Sequence, residues 1–250
     1  MRTEEGKNIR KIFVPTVKDG YIVSADYSQI ELRLLASFSG DEKLINAFNN
    51  GVDIHTLTAS EVLGVDTSLV TPAMRRSAKA INFGIVYGMS DYGLSQDIGI
   101  PVSQAKAYIE QYFARYPKIE KYLKDNVEFC KANGYVTTLY GRRRYIPEIN
   151  APQYMSRQFG ERAAKNMPLQ GSASDIIKLA MIKVHDTLGK ENLKSKLILQ
   201  VHDELIVDTY PDELDKVCKI LKECMEKVVD LPVRLDVNVA YGHNWYDAKD

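Results

Sequence analysis

Apolar and polar positions predict short strands near both ends of the chain and helices between them. Apolar or β-branched runs bounded by turn residues, typical of strands, lie at residues 21–26, 196–200 and 206–209. A last strand is predicted over residues 233–240, where apolar residues alternate with polar ones. A second hairpin with a basic tip is predicted around residues 140–141. The pattern predicts an α+β fold, a small antiparallel sheet interrupted by a large helical insertion.

Periodic apolar positions and capping residues predict the helices. One begins at Ser28, directly after the first strand. Thr71 followed by Pro72 is typical of a helix start, and this helix is expected to end at Gly88. Pro168 is expected to separate two further helices. The other predicted helices cover residues 41–70, 103–116, 117–132, 153–167, 172–188 and 211–229.

The hairpin predicted over residues 196–209 has an unusual turn. His202, Asp203 and Glu204 lie in it, so two carboxylates are adjacent. Their repulsion would be offset by a cation. Asp26 ends the first predicted strand, and Mg²⁺ prefers carboxylate oxygens, so Asp26 and Asp203 are candidate ligands. Taken alone, both are more simply explained as solvated turn aspartates.

The helix after Thr71 has an uncommon face. Arg75, Lys79, Phe83 and Tyr87 are spaced by four and form one stripe. Cations near a helix N-terminus oppose the helix dipole, and a bound anion would remove that penalty. A polyphosphate on the cations and a base or sugar on the aromatic rings fit this stripe. Periodicity alone favours the plainer interpretation, a solvated basic turn followed by aromatic residues in the core.

Composition limits the function classes. The 250 residues show 45% hydrophobic and 26% charged content, typical of a globular protein of one or two domains. Three cysteines without metal-ligand spacing, together with the absence of a signal peptide or long apolar span, favour a reducing cytosol and no membrane. Net charge is zero, but the charged residues within 71–90 and 141–165 are mostly basic, which suits an anionic polymer.

Three long segments resemble family A DNA polymerases, the bacterial DNA polymerase I type. Residues 26–33 (DYSQIELR) resemble motif A of that family, residues 75–88 (RRSAKAINFGIVYG) resemble motif B, and residues 201–204 (VHDE) resemble motif C. Shorter similar segments are GVDIHT, YGRRRY and NMPLQG. The resemblance covers nearly the whole chain, in order and with family-like spacing.

The resemblance implies a split palm subdomain at residues 1–40 and 149–250 around a fingers subdomain at residues 41–148. Asp26 and Asp203 would hold two magnesium ions with the carbonyl of Tyr27, while Glu204 would support the site. The ions would activate the primer 3′-hydroxyl and clamp the triphosphate. The implied reaction is nucleotidyl transfer from a dNTP to primer–template DNA, by a monomer in the cytoplasm of a bacterium, associated with the nucleoid.

Roles for further residues follow from the same resemblance. The triphosphate would be bound by Arg75 and Lys79, and Lys79 is also the candidate acid for the leaving pyrophosphate. Glu31 and Phe83 resemble the pair that selects the sugar. The remaining positions resemble contacts with the nucleotide pocket (Gln29, His55), with the template base (Tyr87) and with the duplex (Arg162, Asn166, Gln170, His202).

The sequence departs from the family pattern at its start. Members carry a thumb, and often an exonuclease-like domain, before motif A, and neither is present in these 250 residues. The chain alone is therefore expected to show weak grip on the duplex and little processive synthesis. Two rival interpretations stay open, a single-subunit RNA polymerase and a DNA-binding remnant without turnover. Intact Asp26, Lys79 and Asp203 speak against the remnant.

Overall fold

The fold is seen in a computed structural model, which describes residues 4–249. The strands are β1 (Tyr21–Tyr27), β2 (Tyr135–Thr137), β3 (Arg143–Tyr145), β4 (Lys196–Val201), β5 (Glu204–Thr209) and β6 (Val237–Gly242). The helices are α1 (Glu4–Asn8), α2 (Ile30–Ser39), α3 (Glu42–Asn49), α4 (Ile54–Leu63), α5 (Pro72–Val86), α6 (Asp91–Ile98), α7 (Val102–Arg115), α8 (Pro117–Asn133), α9 (Tyr154–Lys190) and α10 (Leu214–Glu226). Short 3₁₀ turns lie at Ile9–Ile12, Thr67–Leu69, Pro147–Asn150, Pro211–Glu213 and Asp247–Lys249.

The described chain divides into two compact units. The sheet unit contains the described residues up to Ile30, Ala173–Asp230 and the residues from Leu235 onwards. The helical unit contains Glu31–Ser172 and Leu231–Arg234. These boundaries come from contacts within the chain, so the palm and fingers limits at residues 40 and 149 remain a prediction.

The sheet unit is built on a four-stranded antiparallel sheet in the order β4-β5-β1-β6. The central strand β1 is apolar because it is covered on both faces, and Ile22, Val23 and Ala25 are completely buried. Its pairing with β5 sets Asp26 opposite Glu204, and its pairing with β6 sets Asp26 opposite Asn238. The mixed fold with an antiparallel sheet confirms the predicted α+β class.

Alternation along β1 assigns its side chains to two faces of the sheet. On one face, the hydroxyl of Tyr27 donates a hydrogen bond to the backbone oxygen of Met225 in α10, at 2.8 Å. On the other face, Ser24 Oγ donates to Glu204 Oε1 at 2.6 Å. Asp26 lies two residues beyond Ser24 and therefore on this second face, where Trp245 is also buried.

The helical unit packs α4 against α5 and α6 against α7. Asp53 caps α4 by accepting from the backbone nitrogen of His55, at 3.0 Å. Thr71 caps α5 through Oγ1, which accepts from the nitrogen of Met74 at 3.2 Å, and Pro72 follows as predicted. Large side chains fill the interior of this unit, among them the fully buried Tyr112, Tyr116, Ile119 and Leu94.

Several predicted elements are confirmed. The hairpin of β4 and β5 has a two-residue turn at His202 and Asp203, with a positive φ of 55° at His202. The hairpin of β2 and β3 and the closure of α8 by Gly134 in the left-handed conformation also agree with the sequence. Among the described helices, none has the length and apolarity needed to cross a bilayer.

The predicted break at Pro168 is wrong, because α9 runs through it without interruption. A proline inside a helix costs about 3 kcal/mol. Packing on both sides offsets this cost, since Ala164 and Leu169 are completely buried. One turn further along the helix, Ser172 Oγ donates to the backbone oxygen of Pro168 at 2.5 Å.

Two element starts are also wrong. Helix α2 begins at Ile30 rather than Ser28, because Gln29 has a left-handed φ of 54°. Strand β6 begins at Val237, not at residue 233. The preceding backbone is bound by Asn49, whose side chain donates to Pro232 O at 2.9 Å and accepts from Arg234 N at 3.1 Å. Helix α6, which lacks a counterpart in the prediction, starts at a Ser90 cap.

The cap of α5 gives a test of local stability. Replacing Thr71 with Ala removes the acceptor for the nitrogen of Met74, and we expect the free energy of unfolding to fall by about 1 kcal/mol. Thr71→Ser keeps the hydroxyl and should stay within about 0.5 kcal/mol of the parent. Urea denaturation of the three proteins measures both values, and equal losses in the two variants would contradict this assignment.

Candidate active site

Three acidic residues meet where β1 ends beside the β4–β5 turn. Asp26 lies near the end of β1, Glu204 is opposite it in β5, and Asp203 occupies the turn just before Glu204. The backbone nitrogen of Tyr27 donates to the backbone oxygen of Asp203 at 3.2 Å, which fixes the turn against β1. The sequence-predicted Asp26, Tyr27, Asp203 and Glu204 are thus brought together in one unit.

Three carboxylates share one ammonium here, since Lys249 Nζ lies 3.1 Å from Asp26 Oδ2 and 2.8 Å from Glu204 Oε2. Asp26 Oδ1 is buried without a hydrogen-bond partner among the described residues. Burial raises the pKa of Asp203, and the neighbouring Asp26 carboxylate raises it further. A divalent cation would reverse both effects, so the two carboxylates fit Mg²⁺ by donor type and charge. No group of three or more acidic, histidine or cysteine side chains with metal-binding geometry occurs within residues 4–249.

Glu204 is in a different environment from the two aspartates. It is 3% exposed, and its Oε1 accepts from Ser24 Oγ at 2.6 Å and from Trp245 Nε1 at 2.7 Å. Its Oε2 lies 2.8 Å from Lys249 Nζ. Both oxygens are therefore already bound by the protein, which suits the supporting role predicted for Glu204.

The cationic and aromatic stripe lies along one face of α5 in the helical unit. Arg75 and Lys79 are exposed on it, Phe83 is half-buried, and Tyr87 is exposed at the end of the helix. The rings of Phe83 and Tyr87 are nearly parallel, with centroids 6.4 Å apart and an angle of 18° between them. The stripe thus offers two cations followed by two flat apolar surfaces.

Arg75 already has an anionic partner within the chain. Its Nε donates to Asp53 Oδ2 at 2.6 Å, and its Nη2 donates to Asp53 Oδ1 at 3.3 Å. Partial burial opposes ionisation of Asp53, but the bonds from Arg75, Thr56 and the backbone of His55 outweigh it and lower its pKa to about 2. Lys79 has no ion pair among the described residues, so it is the cation of the stripe with an uncompensated charge.

His55 is buried beside the stripe and is held by Asn82. Asn82 Nδ2 donates to His55 Nδ1 at 3.0 Å, and the same amide bonds with Thr58. Burial lowers the pKa of His55 to about 4, an effect that Arg75 and Lys79 reinforce and Asp53 opposes. The imidazole is therefore neutral at pH 7, and because Nδ1 accepts, its proton lies on Nε2. The ring centroid of Phe83 lies 5.9 Å from that of His55.

The residues predicted to contact DNA are arranged on α9 and at the hairpin turn. Arg162, Asn166 and Gln170 follow one another at intervals of four. Asn166 Nδ2 donates to the backbone oxygen of Val86 at 3.4 Å, so this part of α9 contacts the end of α5. Gly88 has a φ of 62° there, and a Cβ on it would lie 3.3 Å from Arg162 Cα, so the contact requires glycine.

Three predicted residues lie in loops or at the start of a helix. His202 is exposed in the turn of the sheet unit. Gln29 belongs to the sheet unit, in the link between β1 and α2, whereas Glu31 belongs to the helical unit, in the first turn of α2. Both are half-buried.

Comparison with known proteins gives the family. The profile of the family described as DNA polymerase family A matches residues 1–247. The chain belongs to DNA polymerase family A. The DNA polymerase I of Caldicellulosiruptor bescii is 54% identical over 250 residues, which are 100% of this chain and 29% of that protein. The DNA polymerase I of Bacillus subtilis is 53% identical over 249 residues, which are 100% of this chain and 28% of that protein.

A solved structure agrees with this family A assignment. The POL domain of Pol1 from M. smegmatis, in complex with DNA primer-template and dNTP, matches with a TM-score of 0.94 and 43% identity. The match covers 100% of this chain and 44% of that chain. This chain therefore spans under a third of the length of the curated polymerases above, and the resemblance stated from its motifs is confirmed.

Several residues of the candidate site lie outside the sequence motifs. Ser24, Trp245 and Lys249 bind the carboxylates of Glu204 and Asp26, but they lie outside the three motifs. Asp53 occurs in a family-like segment, but the sequence does not indicate its ion pair with Arg75. A polar residue directly before a helix is a signal for capping, whereas nothing in the spacing indicates that Asp53 also binds Arg75.

The neutral state of His55 predicts a pH dependence of stability. The pKa of His55 is about 4 in the folded chain against an ordinary value of 6.5, so the unfolded chain binds the proton more readily between these values. The contribution of the neutral imidazole to the free energy of unfolding is fully present above pH 6.5 and is lost as the pH falls towards 4. Between pH 7 and pH 4.5 the loss amounts to about 2 kcal/mol, and we expect His55→Gln to abolish it.

The measurement is chemical denaturation of the parent, His55→Gln and His185→Gln at pH 7 and at pH 4.5. His185 is exposed on α9, with 78% of its side chain accessible, so its variant should keep the parent's pH dependence. Identical pH dependences in all three proteins would show that the imidazole of His55 is not kept neutral by folding.

Proposed function

We propose that this chain carries out template-directed DNA synthesis, the magnesium-dependent transfer of a nucleotide from a dNTP to a primer 3′-hydroxyl. The observation that carries the proposal is the paired carboxylates of Asp26 and Asp203 at the end of β1 and the adjoining turn. In a chain of family A, this pair is matched by a cationic and aromatic helix face of the kind that suits a nucleoside triphosphate.

Two Mg²⁺ ions fit the carboxylate site. Asp26 and Asp203 would bind them together with the backbone carbonyl of Tyr27. When bound, such ions lower the pKa of the attacking hydroxyl and neutralise charge that develops on the phosphates. Glu204 would act differently, because its bonds to Ser24, Trp245 and Lys249 hold that end of β5 in place.

The nucleotide would be held by α5 and its neighbours. Lys79 would bind the triphosphate with its uncompensated charge and supply a proton to the leaving pyrophosphate. Arg75 would bind phosphate as well, in competition with its bond to Asp53. The neutral His55 would line the nucleotide pocket without adding charge. The base or sugar would rest on Phe83 and Tyr87.

Further selection of the substrate is proposed for Gln29 and Glu31. Gln29 would contact the nucleotide pocket. Glu31 would lie under the sugar with Phe83 and exclude a ribose 2′-hydroxyl. The half-buried position of Glu31 supports this role, since a side chain with little freedom to move aside would exclude an added hydroxyl by its bulk.

The duplex would be bound by α9 and the hairpin turn. Arg162, Asn166, Gln170 and His202 would contact the backbone or minor groove, because a polymerase must accept every sequence. The primer–template in the related M. smegmatis complex supports DNA as the partner. We extend the proposal to a monomer that acts on DNA in the bacterial nucleoid, with weak activity when this chain is alone.

A DNA-binding module without turnover is the second candidate. It is favoured by one observation, that the charges of Arg75 and Asp26 are both engaged within the chain, by Asp53 and Lys249. Both candidates predict DNA binding. Only the polymerase predicts extension of a primer that depends on Mg²⁺ and on Asp203.

Primer extension tests the proposed function. With a short primed template at low salt, Asp203→Asn should lose on the order of 10³-fold in rate, because one ligand of the ions is removed. Asp212→Asn changes an exposed aspartate of the same unit and should extend primers as the parent does. DNA binding of all three proteins is measured in parallel by fluorescence anisotropy. Binding by the parent without Mg²⁺-dependent extension would favour the second candidate.

Sugar selection gives a second prediction. Phe83→Tyr places a hydroxyl on the ring that is proposed to contact the sugar, where it can replace the 3′-hydroxyl missing from a dideoxynucleotide. We expect the variant to incorporate dideoxynucleotides more readily relative to dNTPs, by about 10-fold or more, the size of a polar contact in a binding site. Competition between dNTP and dideoxynucleotide measures the ratio, and equal termination ratios for both proteins would exclude this role for Phe83.

A further inference from the structure

Lys249 provides a cation inside the candidate active site. Its Nζ lies 3.1 Å from Asp26 Oδ2 and 2.8 Å from Glu204 Oε2. The Lys249 side chain is 23% exposed, against 36% for that of Asp26 and 4% for that of Glu204. Both distances are typical of charge-assisted hydrogen bonds, so the ammonium is held between the two carboxylates.

The turn that contains Lys249 is itself anchored. Ala248 is 1% exposed and packs in the core cluster with Trp245. Asn244 closes the turn by accepting from the nitrogen of Asp247 at 3.0 Å and donating to its carboxylate at 2.6 Å. The short link to Lys249 is therefore held from several sides, and the contact with the carboxylates is built into the fold.

The contact with Lys249 leaves the carboxylates of Glu204 and Asp26 with different numbers of bound oxygens. Glu204 has both oxygens bound, by Ser24 and Trp245 on one side and by Lys249 on the other. Asp26 has Oδ2 bound by Lys249, whereas Oδ1 is buried and has no partner among the described residues. Lys249 thus fixes the orientation of the Asp26 carboxylate and leaves one oxygen for an external ligand.

The charge of Lys249 acts on any cation at Asp26. A positive charge within a few ångströms of a partly buried site repels a second cation by an energy comparable to a good ion pair. It also relieves the repulsion among the carboxylates of Asp26, Asp203 and Glu204 when only protein charges are present. Both effects stabilise the metal-free protein relative to the metal-bound protein, so they lower the affinity for a divalent ion.

We propose that Lys249 is a positioning residue that orients Asp26 and sets the affinity of its site for divalent cations by supplying a competing positive charge. This inference rests on the proposed role of Asp26 as a metal ligand. The turn at residues 247–249 lies outside the three motifs, and the inference gives it a role in the site.

The first test is the binding of Mn²⁺, measured by isothermal titration calorimetry with the full chain. Lys249→Met and the milder Lys249→Gln remove the charge, and each should bind Mn²⁺ about 10-fold more tightly than the parent. Lys249→Arg keeps the charge and should bind as the parent does. Lys222→Met removes an exposed lysine of α10 in the same unit and should have no effect.

The second test separates this role from a merely structural one. In EDTA, Lys249→Met should unfold at a lower temperature than Lys222→Met, because the carboxylates lose their internal cation. Saturating Mn²⁺ should remove most of that difference. A purely structural lysine would lower the unfolding temperature equally with and without Mn²⁺.

Three outcomes of the Mn²⁺ titrations would overturn the inference, and they are distinguishable. If Asp26→Asn abolishes Mn²⁺ binding but neither Lys249→Met nor Lys249→Gln tightens it, the inference fails while the proposed function stands. If Asp26→Asn leaves Mn²⁺ binding unchanged, both fail. Tighter binding in Lys249→Arg as well would also contradict the role of charge.

Discussion

The antiparallel pairing of β1 with β5 is the constraint on which the candidate site depends. It sets Asp26 opposite Glu204, and the two-residue turn then places Asp203 beside them. Three carboxylates are thereby forced into one region, which is unfavourable unless each finds a compensating charge or hydrogen bond. The fold supplies these for Glu204, through Trp245 and its other partners, and only in part for Asp26. The proposed cation site rests on this incompletely satisfied pair of aspartates.

In the helical unit, the charge presented along α5 is positive. Along α5, Arg75 is paired with Asp53 while Lys79 has no ion pair among the described residues. Beside them, burial keeps His55 neutral, and Asn82 bonds its Nδ1. In the proposed phosphate site, Lys79 would therefore contribute a free charge and Arg75 a shared one, while His55 would add none.

Local sequence signals predict much of this arrangement. The parts that they do not predict have physical explanations. The helical period of 3.6 residues and the cap at Thr71 are enough to predict the stripe on α5. Helix α6 had signals that were missed, a Ser90 cap and a left-handed Gly99 at its end. The continuity of α9 through Pro168 depends on burial, which no local propensity reveals. The contact of Lys249 with Asp26 joins residues 223 positions apart, so only the folded chain could show it.

The central claim is that Asp26 and Asp203 together form a divalent cation site. The most direct measurement is an anomalous difference map from crystals of this chain soaked in Mn²⁺, collected near the manganese absorption edge. We expect a peak bonded to Asp26 Oδ1 and to the carboxylate of Asp203, with Glu204 still bound to Trp245 and Lys249. A map without density at this pair under saturating Mn²⁺, or with density only at other carboxylates, would contradict it.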